Sequence, residues 1–135
     1  MAEPMTLTII TPDAVVYDGK ANFFVGRAID GEFGVLPNHA PMIIALDVAP
    51  LRIDDPEGKK QTFAVFGGFV EIENNKVSII TPNCESPEAI DIERAKRAKE
   101  RAEGRLSNPT PDIDVERAEH ALARALLRLK VTKRI

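Results

Sequence analysis

Glu32 and His39 sit in the most heavily punctuated stretch of the chain, Gly31-Glu32-Phe33-Gly34-Val35-Leu36-Pro37-Asn38-His39-Ala40-Pro41. Glycines open backbone angles closed to other residues, and prolines fix φ and end strand pairing. The stretch reads as a shaped loop that holds one carboxylate and one imidazole out from a rigid base. Either these groups serve the loop itself, Glu32 capping a turn and His39 satisfied locally, or they face a partner. A carboxylate held this way suits arginine and amide groups on another protein. The only other histidine, His120, falls in a different part of the chain, so no metal-ligating cluster is visible.

The second chemistry-bearing set is cationic. Arg94 and Arg101 are seven residues apart, which on a helix puts them on one face about 10.5 Å apart along the axis. Arg97 and Arg105 fall near the same stripe, and Arg124 and Arg128 are four apart on a later segment. If the two segments pack as antiparallel helices, the pairs can converge. Guanidinium groups bind phosphate oxygens through paired planar hydrogen bonds, so four of them together suit a triphosphate. The plainer reading is a solvated charged face with local pairs such as Glu93–Arg97. There is no GxxxxGK[ST] phosphate loop and no Ser/His/Asp or Cys/His set. Hydrolysis of a bound nucleotide is therefore not expected, and neither is any other catalysis.

A chain of 135 residues makes one domain, or one small domain with an appendage. With 44 % apolar and 29 % charged residues it reads as an ordinary globular protein. No apolar run approaches the roughly 18 residues a membrane helix needs, so direct membrane insertion is not expected. Met1-Ala2-Glu3-Pro4 offers neither a basic region nor an apolar stretch, and no signal peptide is expected there. The single cysteine, Cys84, cannot form an internal disulfide; it favours a reducing compartment and reads as a small, partly buried side chain. Residues 1–84 carry six Lys/Arg against eleven Asp/Glu, a net of −5, and residues 85–135 carry twelve against ten, a net of +2. That step marks a structural boundary. The small positive excess, with one tyrosine and no tryptophan, does not make a nucleic-acid arm.

The two halves have different periods. Residues 1–84 alternate with period two: Thr6–Ile10, Val15–Tyr17, Asn22–Gly26, Met42–Leu46, Leu51–Ile53, Thr62–Phe66, then Phe69–Glu73 and Lys76–Ile79 around Asn74-Asn75. Turn signals at Pro12-Asp13, Asp18-Gly19, Asp30-Gly31 and Pro56–Gly58 separate them. Many short strands with close turns predict a β-sandwich or barrel. Residues 85–135 have period 3.6. Asp91 predicts an N-cap for a helix to about Leu106, Asn108-Pro109-Thr110-Pro111 a break, and Asp112 or Asp114 the cap of a second helix to about Lys133. Ala95, Ala98 and Ala102 mark the apolar side of the first helix; Val115, Ala118, Leu122, Ala125, Leu126 and Leu129 mark that of the second. Small residues bury little area, and Gly104 costs about 1 kcal/mol against alanine, so the hairpin is expected to be weakly held.

The wording Gly-Glu-x-Gly-x-Leu-Pro-x-His-x-Pro resembles the epsilon subunit of the bacterial F-type ATP synthase. So do Gly67-Gly68-Phe69-Val70-Glu71-Ile72 with Asn75-Lys76-Val77, and the order of a β half followed by two helices. Ile90-Asp91-Ile92-Glu93-Arg94-Ala95 is similar to the Ile-Asp-x-x-Arg-Ala motif of those members whose helical hairpin binds ATP. The resemblance covers essentially the whole chain. It implies a sandwich of about ten strands over residues 1–84, binding the gamma subunit and the c-ring, with Glu32 and His39 facing the c-ring. It implies a regulatory antiparallel helical hairpin over residues 85–135, able to extend to the alpha and beta catalytic subunits and inhibit ATP hydrolysis. Family positions for ATP fall on Arg94, Arg101, Arg124 and Arg128, on Glu85 and Asp91 near the adenine, and on backbone at Ile90 and Ala95. ATP would be a regulatory ligand, with or without magnesium, and no cofactor is required. The location implied is peripheral, on the cytoplasmic face of the cell membrane. The competing expectation is a free-standing β-sandwich module that binds a small anion through its tail.

Overall fold

A computed structural model describes residues 3–133; the Met1-Ala2 part of the signal-peptide reading lies outside the described residues. The chain forms two compact units, one ending at Glu85 and the other beginning at Ser86.

Among the described residues the first unit has eight strands: β1 Met5–Ile10, β2 Val15–Ala21, β3 Phe23–Ala28, β4 Gly31–Val35, β5 Met42–Asp54, β6 Lys60–Glu73, β7 Lys76–Ile80 and β8 Cys84–Glu85. They run in the order β2-β1-β7-β6-β5-β3-β4, with β8 paired to β6. β1 lies parallel to β7 and every other pairing is antiparallel. In β1 the inward Met5, Leu7 and Ile9 alternate with Thr6 and Thr8, the period-two pattern of a strand with one covered face.

β5 and β6 are long because each serves both layers. Along β5 the buried positions are Ile44 and Leu46, then Ala49, Leu51 and Ile53; along β6 they include Phe63 and Val65, then Val70 and Ile72. The phase flips at Asp47 and at Gly67-Gly68, which turns the pair from one layer into the other. Gly67 and Gly68 have φ of 85° and 104°, and a Cβ on Gly68 would stand 2.0 Å from the Ile80 carbonyl oxygen. Only glycine serves there. The inner faces of the two layers share one core, with Phe24, Leu7, Ile9, Leu51, Val70 and Ile79 nearly solvent-free. This is the expected β-sandwich, and counting the halves of β5 and β6 separately gives the expected ten strands.

Two local readings change. Asp18-Gly19 is inside β2 rather than at a turn. Gly19 makes room for the Tyr17 ring, whose hydroxyl would be 3.2 Å from a Cβ there. Gly31–Val35 is a strand, not a loop: β4 pairs with β3, Arg27 opposite Glu32. Gly34 accommodates the Phe23 ring, 2.9 Å from where a Cβ would be. Both glycines serve packing against aromatic rings, which looks the same in sequence as turn chemistry.

The second unit is the expected helical hairpin. After a single 3-10 turn, Pro87–Ala89, come α1 Ile92–Ser107 and α2 Val115–Val131. Asp91 caps α1 and Asp114, not Asp112, caps α2. The only buried residues of α1 are Ala95 and Ala102; since α1 packs on α2, these alanines form its side of the seam. On α2 the buried set is Ala118, Ala125, Leu127, Leu129 and Val131. Val115 is exposed, contrary to its place in the sequence stripe. Leu127 and Val131, four apart, add a second buried face that the stripe did not contain.

Candidate functional site

In the sandwich, Glu32 is an exposed strand residue and His39 a half-buried loop residue, so the two stand on different elements. The irregular segment is therefore residues 36–41. His39 Nδ1 donates to the Ala40 carbonyl at 2.8 Å, which leaves Nε2 as an acceptor when the ring is neutral. The loop is held by a residue that sequence reasoning read only as a turn former. Asn75 Oδ1 accepts from the Asn38 N–H at 2.9 Å. Its Nδ2 donates to the Glu3 and Pro4 carbonyls at 3.3 and 3.2 Å, and its own carbonyl accepts from the Thr6 N–H at 3.1 Å. One amide thus joins the β6–β7 turn, the segment before β1 and the His39 loop. Asn38, Asn74 and Asn75 have φ of 63°, 52° and 58°, angles that asparagine tolerates. The only available signal was the type of those residues, not their partners.

The outer face carries an apolar row. Ile10 pairs with Ile80, Ile80 with Phe69 and Phe69 with Ala45 across four adjacent strands. Phe69 is 56 % exposed, Ile80 50 %, and Ile43, two residues from Ala45, 71 %. Contiguous exposed apolar side chains on a sheet make a candidate contact surface.

Cys84 is buried on β8, and burial, helped by the adjacent Glu85 carboxylate, pushes its thiol up to about 12. It is a core side chain, as expected, and not a nucleophile. Glu85 is half-buried at the end of the same strand, its Oε2 accepting from Asn83 Nδ2 at 2.9 Å.

In the hairpin unit, Ile90 is buried and its N–H bonds the Pro87 carbonyl at 3.2 Å, closing the 3-10 turn. Asp91 accepts from the Arg94 N–H at 3.0 Å. Ala95 is on the seam, and Arg94, immediately before it, is exposed. Arg101 and Arg124 are likewise exposed and immediately precede the seam residues Ala102 and Ala125. Each of these arginines lies about 100° around its helix from the seam. Antiparallel packing puts equal offsets on the same side of a hairpin, so Arg94, Arg101 and Arg124 share one broad face. Arg128 is half-buried in the last turn of α2. Arg117, which was not singled out in the sequence, precedes the seam residue Ala118 and joins that face. It lines a groove of about 420 Å³ with His120 and Arg124, walled also by Asp114 and Glu116. Glu93 pairs with Lys96 at 3.8 Å rather than with Arg97. Among the described residues no group of His, Cys, Asp or Glu could hold a metal ion, and no described helix is long and apolar enough to cross a membrane.

Residues 4–87 match the ATP synthase delta/epsilon chain β-sandwich domain and residues 88–133 its long α-helix domain. The chain belongs to the ATP synthase delta/epsilon family. Among its relatives, the ATP synthase epsilon chain of Desulforamulus reducens is 44 % identical over 133 residues, covering 98 % of this chain and all of that one. The epsilon chain of Brevibacillus brevis is 46 % identical over 129 residues, covering 96 % and 98 %. A chain of the Euglena gracilis mitochondrial ATP synthase, solved with its F1 and c-ring, superposes with a TM-score of 0.84 at 25 % identity, over 96 % of this chain and 81 % of that one. A chain of the Tetrahymena thermophila central stalk and c-ring, at 16 % identity and a TM-score of 0.62, shares the fold. An epsilon chain of ATP synthase is a non-catalytic subunit.

Proposed function

We propose that this chain is the rotor epsilon subunit of a proton-translocating ATP synthase, peripheral on the cytoplasmic face of the cell membrane, and that its hairpin is an ATP-responsive brake. The sandwich contributes the mechanical part. The apolar row Ile10–Ile80–Phe69 with Ile43 suits the gamma subunit, and the pinned loop with His39, together with Glu32 on the neighbouring strand, suits the polar loops of the c-ring. The Euglena relative, solved with its F1 and c-ring, supports this placement.

The observation that carries the regulatory part is the arginine face. Arg94 and Arg101 from α1 and Arg124 from α2 stand on one side of an alanine seam, with Arg128 in the adjoining turn. Like charges gathered across two helices repel, and a triphosphate reverses the sign of that interaction while linking both helices. It therefore favours the closed hairpin, to an extent set by its preference for that state. At free ATP near 100 times its dissociation constant the shift is about 2.7 kcal/mol, large for a seam of small side chains. Asp91 fixes the start of α1, while Ile90 and Ala95 complete the hairpin's nucleotide set. When ATP falls, the hairpin opens and α2, with Arg124, Arg128 and Lys130, meets an acidic segment of the alpha and beta catalytic subunits. Titrating the whole chain with ATP, with and without magnesium, and following amide protection in α1 and α2 tests this. Protection should rise with ATP, and an unchanged hairpin at millimolar ATP would refute the brake.

A further inference from the structure

The two helices begin alike. Ile90-Asp91-Ile92-Glu93-Arg94-Ala95 returns twenty-three residues later as Ile113-Asp114-Val115-Glu116-Arg117-Ala118, and the correspondence continues through Arg101-Ala102 and Arg124-Ala125 to Arg105 and Arg128. The structure repeats with the sequence. Asp91 has φ −81° and ψ 103°, Asp114 φ −82° and ψ 101°. Each aspartate accepts at 3.0 Å from the N–H of the arginine three residues on.

Two similar helices packed antiparallel are related by a local two-fold axis that exchanges the ends of the hairpin and preserves its faces. The axis carries Arg94 onto Arg117, Arg101 onto Arg124 and Arg105 onto Arg128. One end of the hairpin combines Arg94 of α1 with Arg124 and Arg128 of α2. The other end must then combine Arg117 of α2 with Arg101 and Arg105 of α1. A cavity of about 370 Å³ lies there, lined by Arg105, Asp112, Ile113, Asp114, Arg117 and Ala118. Asp114 is engaged by the Arg117 N–H and Asp112 by the Thr110 hydroxyl. Among the described residues no carboxylate lies within ion-pair distance of the Arg105 or Arg117 guanidinium.

We propose that this cavity at the interhelix tip is a second anion site of the hairpin, taking a phosphate group. It rests on the nucleotide reading only in that the rotated arginine set implies the same ligand chemistry. Two guanidinium forks from different helices grip one tetrahedral anion, with Arg101 adding charge alongside. Asp112 and Asp114 offset part of that field, so the dissociation constant is expected on the order of 1 mM. A phosphate there ties the last turn of α1 to the first turn of α2, reinforcing the closed hairpin from the end opposite Arg94, Arg124 and Arg128, with Arg101 of the nucleotide set lying between the two ends.

The test is a backbone-amide NMR titration of the full chain at constant ionic strength, first with orthophosphate and then with ATP. Orthophosphate should shift the amides of residues 113–118. The shift should survive Arg94→Ala with Arg124→Ala and Arg128→Ala, and weaken at least about tenfold in Arg105→Ala with Arg117→Ala. Arg105→Gln with Arg117→Gln should repeat that loss, and unchanged helix content verifies that the fold persists. If ATP also shifts residues 113–118 in the triple variant, a nucleotide phosphate is accepted; if orthophosphate alone does, the ligand is free phosphate. No shift at 113–118 from either anion, or an equal shift in the Arg105/Arg117 variants, overturns the proposal. Failure of the nucleotide reading is seen separately, as residues 90–95 unmoved by ATP in the wild-type chain.

Discussion

Replacing Asn75 by glycine isolates the clamp that holds the His39 loop. Asn74→Gly is the matched control: the two residues are adjacent, with φ of 52° and 58°, so both substitutions carry the same backbone effect. They differ in that Asn75→Gly also removes three side-chain hydrogen bonds. The bond from the Asn38 N–H is short, 2.9 Å, and contributes about 1 kcal/mol, while the two from Nδ2 are longer and half-exposed and contribute about 0.5 kcal/mol each. The expected difference between the variants is about 2 kcal/mol. For a sandwich of this size that is a fall in Tm of roughly 8–16 °C. The assay is hydrogen exchange at core amides such as Ile72 and Val77, which reports the sandwich separately from the hairpin, with the Asn38 amide as local probe. Asn38 should lose protection in Asn75→Gly and keep it in Asn74→Gly. Equal stability of the two variants, or an Asn38 amide protected in both, would refute the clamp.

Gly68→Ala forces a Cβ against the Ile80 carbonyl and should cost more than about 3 kcal/mol, seen as loss of the folded sandwich in thermal melts; a stable variant would contradict the proposed layer crossing. Because the Cys84 thiol is raised to about 12 when folded, its contribution is complete below the ordinary thiol pKa and lost as pH rises towards 12. Stability should fall by up to about 1.4 kcal/mol per pH unit in that window, and Cys84→Val should reduce the slope. Glu32→Ala with His39→Ala should change stability by only about 0.5 kcal/mol while impairing proton-coupled ATP synthesis in the assembled complex; unfolding without an assembly defect would assign both residues to the fold.

The strands were legible wherever one face is covered, as in β1 and in Lys76–Ile80, because alternation then survives. It failed where strands change layer. The phase flips at Asp47 and Gly67-Gly68 split β5 and β6 into apparent pairs of short strands. Glycines that make room for aromatic rings, Gly19 and Gly34, were indistinguishable from turn glycines. The hairpin was legible from its Asp caps and its proline break, but Leu127 and Val131 were missed because they repeat on a face away from the seam. The arginines of the nucleotide set could be named from spacing and resemblance. Arg117 escaped because its significance lies in the repeat of Ile90–Ala95 as Ile113–Ala118. Asn75 escaped because its partners are remote in sequence.

Whether the hairpin responds to ATP is decided by calorimetric titration of ATP into three forms of the whole chain: wild type, Arg94→Ala, and Arg124→Ala with Arg128→Ala. The wild type should bind ATP saturably at millimolar concentration or below. Each variant should bind at least about tenfold more weakly, with helix content unchanged in the absence of ligand. Absence of binding by the wild type at millimolar ATP, or equal binding by all three, would contradict an ATP-responsive hairpin.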